Sequence, residues 1–200
     1  MERDLDQYHT ENISDTQAGG ETRSGFVRFV LDVLETLILS VVLFAAINAV
    51  SARIRVDGAS MEPTLQSGEF VIVNKLAYFI GEPGLGDVIV FHFPRDPEQE
   101  YIKRVIGLPG DRIVIQGGNV SVNGELLLED YIAAPPVYEA TVDVPVDSLF
   151  VLGDNRNNSS DSHNWGPVPL DYVVGKAIFI YWPPTQWGIV GHAPTASAAP

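Results

Sequence analysis

The chain contains no cysteine, which excludes disulfide bonds, thiolate nucleophiles and cysteine-ligated zinc. A cysteine-free chain suits oxidising and reducing compartments equally, so the location stays open. Basic residues are also scarce, since 12 Lys and Arg stand against 26 Asp and Glu, and the formal net charge is -14. Nucleic-acid binding requires clustered Lys and Arg side chains against the phosphates. We therefore expect no nucleic acid among the partners.

Motifs that bind metals or phosphates are missing as well. The chain has four histidines, which show no spacing typical of metal ligands. They are His9, His92, His163 and His192. The segment DNRNNSSDS begins like a calcium loop, but its third position is Arg156 and its twelfth is Trp165 instead of Glu. No Gly-Lys-Ser/Thr follows a spaced glycine, so no phosphate loop is predicted. The sequence predicts a protein that uses no metal and no cofactor.

The N-terminal part changes from polar to apolar. Residues 1–24 are acidic with few apolar side chains, which predicts a disordered acidic tail. Residues 36–52 carry no charge and would form a helix of roughly 25 Å, shorter than a bilayer core of about 30 Å. Because the preceding turns can supply the missing length, we predict one transmembrane helix over residues 25–52. A cleaved signal peptide and a buried core helix are the alternatives, and arginines on both sides of the span leave its orientation open.

Short β-branched and aromatic runs follow, separated by Gly, Pro, Asn and Asp. The runs are FVIVNK, DVIVFHF, YIKRVIGL, DRIVIQ, NVSVNG, SLFVLGD and KAIFIYW. Asn123 and Gly124 form a two-residue hairpin signal. The pattern predicts a mainly β domain over residues 53–188, with an antiparallel β-sheet in a closed or partly closed barrel on the single N-terminal helix. Residues 189–200 are small and unpatterned, and are predicted to form a flexible tail.

The segment VDGASMEPTL places Ser60 in a turn just after the apolar span. This serine is either an ordinary turn residue or a nucleophile, and a nucleophile needs a base. His163 is a candidate base by residue type for a Ser-His-Asp triad, but no spacing connects it to Ser60. A lysine is the other candidate.

The chain has only three lysines: Lys75, Lys103 and Lys176. On a strand, Lys103 would share a face with Tyr101 and Val105, and apolar neighbours of this kind can remove the amine from water. A lysine has a pKa of about 10.4, which burial lowers by disfavouring the charged form, so a buried amine can act as a base at neutral pH. Lys176 also has apolar neighbours on its own face, so this pattern does not choose between them.

Four blocks occur in a fixed order: GASMEPTL, GDVIVF, YIKRVIGLPGD and GDNRNNSSDSHNWG. Together with the preceding apolar span, they resemble bacterial type I signal peptidases. These are membrane-anchored serine endopeptidases that cleave signal peptides from exported preproteins after a small-x-small pattern, typically Ala-x-Ala. The resemblance implies that Ser60 is the nucleophile and Lys103 the general base, and that Ser159 hydrogen-bonds the lysine amine and orients it.

The same resemblance assigns supporting roles. It implies that Asp161 holds the loop of the last block and that Asp154 and Asn155 shape its turn. The oxyanion hole would use the N–H groups of Ser60 and Gly58. Four apolar side chains would form shallow substrate pockets: Ile54, Val56, Tyr101 and Ile102. The strand before Ser60 would pair with the extended substrate.

Two features depart from the family pattern. An arginine usually stands where this chain has His163, so an Asp161–His163 pair would weaken as the pH rises and the histidine loses its proton. Residues 116–148 are short where some members insert a large β domain, which predicts only a small cap.

The resemblance also implies partners and a location. The partners would be preprotein signal peptides, membrane lipid and the secretion translocon. The location would be the cell membrane, crossed once, with the catalytic domain on the extracytoplasmic side, and a thylakoid membrane is the alternative. An aromatic rim formed by Phe179, Trp182 and Trp187 would dip into the lipid interface. The competing functions are a self-cleaving Ser-Lys protease of the repressor type and a non-catalytic, membrane-anchored β domain that binds partners.

Overall fold

The computed structural model describes residues 20–191 and 195–196. Most of the predicted acidic tail, residues 1–19, and residues 192–194 and 197–200 of the predicted C-terminal tail lie outside this part. The chain divides into two compact units, residues 1–46 and 47–200.

Helix α1 covers Gly20–Val50, so it begins five residues before the predicted transmembrane helix and ends two residues before its predicted end. Its stretch Gly25–Val50 is long and apolar enough to cross a membrane, and its large apolar side chains are exposed. The hydroxyls of Thr36 and Ser40 donate to the carbonyls four residues earlier, at 2.8 and 2.7 Å. These bonds satisfy polar groups that lipid could not. The helix therefore fits a membrane anchor.

Among the described residues, thirteen strands and two short α-helices follow α1. The strands are β1 Ser51–Arg55, β2 Phe70–Asn74, β3 Val88–Phe93, β4 Asp96–Gly107, β5 Arg112–Gln116, β6 Asn119–Val122, β7 Glu125–Leu128, β8 Ala140–Asp143, β9 Ser148–Leu152, β10 Val168–Pro169, β11 Val173–Trp182, β12 Gly188–Ile189 and β13 Thr195–Ala196. The short helices are α2 Ala77–Ile80 and α3 Ser162–Trp165. All seven apolar runs identified in the sequence form strands. The mainly β, antiparallel fold is thereby confirmed.

The larger sheet has eight strands in the order β1-β2-β11-β3-β4-β9-β10, with β12 paired to β11. Its central strands are buried on both faces, and every residue of β4 from Ile102 to Gly107 is buried. Burial on both faces explains why these strands appear in the sequence as continuous apolar runs. One face packs on a cluster that includes Met61 and Leu65, and another cluster surrounds Phe91.

The smaller sheet has five strands in the order β13-β7-β6-β5-β8. Its strands β6, β7 and β8 come from the region predicted as a small cap, residues 116–148, and the sheet packs on a core that includes Ile113 of β5 and Phe150 of β9. Asn123 and Gly124 connect β6 to β7 as predicted, because Val122 pairs with Glu125 across the turn.

Both ends of the β domain differ from the predicted boundaries. Ser51 and Ala52 belong to β1 instead of the helix, and they pair with β2. A cut after Ala52, as in the signal-peptide alternative, would therefore divide a strand. At the other end, Val190 is buried in the core and the Gly191 carbonyl accepts a hydrogen bond from Arg104 at 3.1 Å. Residues 189–191 are thus part of the fold and not of a flexible tail.

Candidate active site

Ser60 and Lys103 meet at the edge of the larger sheet. Lys103 is near the centre of β4, Ser60 lies in the turn after β1, and Lys103 Nζ lies 2.7 Å from Ser60 Oγ. Lys103 Nζ also donates to the Ile102 carbonyl at 2.9 Å. Only 4% of the Lys103 residue is exposed. Burial lowers the pKa of Lys103 to about 8, against the opposing effect of Asp161 and Asp154.

The other candidate bases are held elsewhere. Lys176 forms an ion pair with Asp87. His163 Nδ1 lies 2.6 Å from Asp161 Oδ1. The lysine that the family resemblance selected is thus the one beside Ser60, and the ambiguity between Lys103 and Lys176 disappears once the strands are paired.

Asn155 braces the turn that carries Ser60. Its side-chain Nδ2 donates to the Ala59 carbonyl at 3.0 Å, and its backbone N–H donates to the Ser60 carbonyl at 3.1 Å. The Ala59 carbonyl and the Ser60 N–H belong to the same peptide unit, which is planar. Fixing the carbonyl therefore fixes the direction of the Ser60 N–H, the predicted oxyanion donor.

Asp154 lies under the same turn in a buried ion pair with Arg104. The Arg104 Nε–Asp154 Oδ1 distance is 2.8 Å and the Arg104 Nη2–Asp154 Oδ2 distance is 2.7 Å, with both side chains fully buried. Arg104 Nη1 donates to the carbonyls of Gly86 and Gly191. The guanidinium thereby ties the backbone at Gly86 and Gly191 to Asp154.

Asp161 accepts hydrogen bonds from two backbone N–H groups in the loop of the last block. Its Oδ2 accepts from the Gly153 N–H at 2.9 Å, and its Oδ1 accepts from the backbone N–H of His163 at 3.2 Å. Gly153 is packed so tightly that a Cβ there would lie 2.4 Å from the Ser60 carbonyl oxygen and 2.3 Å from Ser159 Oγ. Asp161 thus fixes a backbone segment that contacts the nucleophile directly.

Two predicted contacts differ in the structure. Ser159 Oγ is buried without a hydrogen-bond partner, so the predicted bond to Lys103 is not formed; the hydroxyl packs against Gly153 instead. The Gly58 N–H, predicted as an oxyanion donor, donates to Ser67 Oγ at 3.2 Å. The turn after β1 brings Ser67 back beside Gly58, because Val56 and Gly68 are hydrogen-bonded at 2.8 Å.

A groove with a volume of about 700 Å³ opens over the dyad. Ser60, Lys103 and three of the predicted substrate-contacting residues line it, namely Ile54, Tyr101 and Ile102. The prediction for Val56 is wrong, because this side chain is 2% exposed and packs in the core. Strand β1 ends at Arg55, so the alternation of faces stops before Val56. Ser160, which the sequence reasoning did not select, also lines the groove.

The sequence reasoning also missed a contact between the smaller sheet and the loop of the last block. Arg156 Nη2 and Nη1 donate to the Glu129 carboxylate at 2.6 and 3.0 Å, and Arg156 Nε donates to the Gly153 carbonyl at 3.1 Å. The Tyr131 ring lies 4.1 Å from the Arg104 guanidinium, and the Tyr138 ring stacks on His163 at 3.9 Å. The signal for these contacts in the sequence is the presence of two tyrosines, Tyr131 and Tyr138, in the segment between β7 and β8.

Comparison with known proteins identifies the family of this chain. Residues 30–182 match the family described as "Signal peptidase, peptidase S26". A protein named "Probable signal peptidase I-2" from Synechocystis sp. is 44% identical over 168 residues, which is 80% of this chain and 77% of that protein. "Signal peptidase I" from Leptolyngbya laminosa is 43% identical over 171 residues, 81% of this chain and 84% of that protein.

A plant relative is also similar. "Thylakoidal processing peptidase 1, chloroplastic" from Arabidopsis thaliana is 39% identical over 142 residues, which is 66% of this chain and 42% of that protein. The family match covers far more than half of this chain and includes both Ser60 and Lys103. The chain therefore belongs to the signal peptidase family, peptidase S26.

Proposed function

We propose that this signal peptidase I cleaves preprotein signal peptides with Ser60 as the nucleophile and Lys103 as the general base. The observation that carries the proposal is the 2.7 Å contact between Lys103 Nζ and Ser60 Oγ in a buried site. Membership of the peptidase family removes the support for a repressor-type protease and for a non-catalytic binding domain.

The lowered pKa of Lys103 makes the chemistry feasible at neutral pH. With a pKa of about 8, about a tenth of the enzyme carries a neutral amine at pH 7, compared with roughly one molecule in several thousand for an ordinary lysine. The neutral amine takes the Ser60 proton as the hydroxyl attacks the scissile carbonyl. The resulting ammonium gives a proton to the leaving amine, and the free amine then activates water to hydrolyse the acyl-enzyme.

The Ser60 N–H supports the oxyanion of the tetrahedral intermediate. Asn155 fixes the peptide unit of this N–H through the Ala59 carbonyl. The Ser60 N–H is therefore already oriented when the negative charge develops on the oxyanion. The Gly58 N–H can contribute only after its bond to Ser67 is broken. An orienting role for Ser159 would require its buried hydroxyl, which makes no hydrogen bond to Lys103 in this structure, to turn toward the amine.

Substrate binding is proposed along β1. Among the described residues, this strand pairs with β2 only, so its other edge is open for an extended peptide. Main-chain hydrogen bonds along the edge would bind the signal peptide, and the side chains of Ile54 and Ile102 would bound shallow pockets for small residues. This arrangement fits selection of a small-x-small, Ala-x-Ala-like cleavage pattern.

We further propose a membrane location with the catalytic domain on the extracytoplasmic side, where exported preproteins emerge. The lipid bilayer and the secretion translocon would then be the partners of α1 and of the domain. The cell membrane is the first choice, and the thylakoid membrane is the alternative that the Arabidopsis relative's name supports. Protease digestion of sealed vesicles of known orientation tests the side.

The test of the dyad is cleavage of a preprotein by the full chain in detergent. Ser60→Ala and Lys103→Ala should lose activity, and Lys103→Arg should stay inactive because a guanidinium remains protonated. Lys176→Ala is the matched control, since Lys176 is a lysine of the same sheet that is paired with Asp87. Activity of Lys103→Ala equal to that of Lys176→Ala would disprove the dyad.

A further inference from the structure

Helix α2 exposes two neighbouring apolar side chains. Phe79 is 86% exposed and Ile80 is 88% exposed, and the segment from Leu76 to Gly81 contains no charged residue. Single exposed apolar residues are common on protein surfaces, but adjacent ones in an uncharged segment mark a surface that contacts a partner or a membrane.

The α2 turn is held firmly on the larger sheet. The Tyr78 hydroxyl donates to Asp87 Oδ2 at 3.0 Å, and the Gly84 N–H donates to the same oxygen at 3.0 Å. Lys176 of β11 pairs with the other oxygen of Asp87. The Tyr78 side chain also packs on the core around Phe91. Phe79 and Ile80 therefore project from a fixed turn and cannot fold back into the core without breaking these bonds.

The turn begins where the anchor helix ends. The Lys75 N–H donates to the carbonyl of Val50, the last residue of α1, at 3.0 Å. Ser51, the first residue of β1, pairs with Asn74, the last residue of β2. The chain thus leaves the apolar stretch of α1 within hydrogen-bond distance of the residue that precedes α2. With α1 across a bilayer, a segment so close to the end of the span would lie at the height of the lipid interface.

Trp182, one member of the aromatic rim predicted from the sequence, lies at the other end of β2, and Phe179 pairs with Ile72 at the middle of this strand. Trp182 pairs with Phe70, whereas Lys176 pairs with Asn74. At about 3.3 Å per residue, these two ends of β2 are roughly 13 Å apart. The exposed rings of Trp182 and Trp187 are therefore separated from the point where the anchor joins the sheet, and the two surfaces can be tested separately.

We propose that Phe79 and Ile80 insert into the interface of the lipid bilayer and form a second membrane contact beside α1. The occupant is lipid, because the turn is tied to the end of the apolar helix and presents apolar side chains of the kind that interfacial segments bury in the headgroup and acyl boundary. Two contacts would fix the tilt of the β domain and hold the groove at a constant height above the bilayer. This inference rests on the proposed membrane anchoring of α1.

The absence of cysteine makes the test direct, since one introduced cysteine is the only site for a thiol-reactive dye. The full chain carrying Ile80→Cys is labelled with an environment-sensitive dye and reconstituted into phosphatidylcholine–phosphatidylglycerol vesicles. Quenching is measured with lipids that carry a nitroxide near the headgroup. Val146→Cys is the matched control, because Val146 is also an apolar residue with 84% exposure but lies between β8 and β9.

The expected result is a blue-shifted emission at position 80 that the nitroxide lipid quenches at least about twofold, with no quenching at position 146. Emission typical of water at position 80 would overturn the proposal. A blue shift without quenching would also overturn it, because it would mean that protein and not lipid covers the turn.

Two further measurements separate this inference from the function on which it rests. A dye at Leu39→Cys, within the apolar stretch of α1, should be quenched by a nitroxide near the bilayer centre. If position 39 is quenched and position 80 is not, anchoring stands and the second contact fails. Dye quenching does not depend on Ser60, so an inactive dyad with a quenched position 80 would disprove the proposed catalysis alone.

Discussion

On β4, Lys103 faces the groove beside Ser60, whereas its neighbour Arg104 is enclosed by Asp154 on the other side of the strand. Both cations are buried. Arg104 has a carboxylate on two of its nitrogens and carbonyls on a third, while Lys103 contacts only a hydroxyl and a carbonyl. A buried charge with a full set of partners supports the fold, and one without a carboxylate partner becomes a base. These two adjacent residues thus have different roles: Arg104 stabilises the fold, and Lys103 provides the base.

The largest effect is expected when the Arg104 pair is broken. Arg104→Met leaves the Asp154 carboxylate buried without its partner, which should lower the free energy of unfolding by about 3–5 kcal/mol. Thermal unfolding in detergent measures the change. The double variant Arg104→Met/Asp154→Leu removes both charges and should recover much of this loss. A double variant no more stable than Arg104→Met would show that the pair is not the source of the effect.

Lys103→Met should raise the free energy of unfolding, whereas Arg104→Met lowers it. The folded pKa of Lys103, about 8, lies below its ordinary value of 10.5, so the unfolded chain binds the proton more tightly. The cost to stability is therefore complete below pH 8 and disappears as the pH rises from about 8 to 10.5. Replacement by the similarly sized Met should stabilise the protein by up to about 3 kcal/mol at pH 7 while abolishing cleavage.

The measurement is the difference in stability between Lys103→Met and the unchanged chain as a function of pH. The stabilisation should be greatest at pH 7 and should shrink above pH 8. Destabilisation by Lys103→Met at pH 7 would mean that Lys103 is held like Arg104, and the contrast between the two residues would fail. The activity of the unchanged enzyme should rise with pH to a plateau with a midpoint at about 8, because only the neutral amine is a base.

The sequence predicted most of the strands, but it did not distinguish Lys103 from Lys176. The apolar runs predicted their strands because both faces of the central strands are buried. The first two residues of β1, Ser51 and Ala52, were assigned to the span because they continue its uncharged run without a break. Lys103 and Lys176 have similar neighbours along the chain, and only the pairing of β11 with β3 brings Asp87 to Lys176. Long-range pairing was therefore the missing information.

The supporting contacts were harder to predict than the dyad. The family resemblance identified Asp154, Asn155 and Asp161, and the structure shows which groups these side chains hold. Val56 and Gly58 were assigned their roles by the same family resemblance. The chain instead bends after Arg55, which buries Val56 and brings Ser67 to the Gly58 N–H. Turn geometry of this kind depends on contacts that no local pattern encodes.

Asn155→Ala should have a smaller effect than replacement of Arg104 or Lys103. The expected change is a lower kcat. The variant removes the donor to the Ala59 carbonyl but leaves the dyad in place, so the Ser60 N–H loses its fixed direction. We expect kcat to fall about tenfold, less than for loss of a direct oxyanion donor, while KM changes little. Asn157→Ala is the matched control, since its side chain bonds Pro135 and Val137 on the surface. A change confined to KM would contradict the proposal that Asn155 fixes the direction of the Ser60 N–H.

The smallest effect is expected at His163, whose Nδ1 lies 2.6 Å from Oδ1 of the buried Asp161 carboxylate. His163→Ala removes this contact and should lower the free energy of unfolding by on the order of 1 kcal/mol. His163→Arg should lose less stability, because its guanidinium can still donate to Asp161. Thermal unfolding of the three proteins in detergent at one pH measures the differences. Equal stability of His163→Ala and the unchanged chain would mean that the His163 side chain does not support Asp161, and would leave Asp161 to hold Gly153 alone.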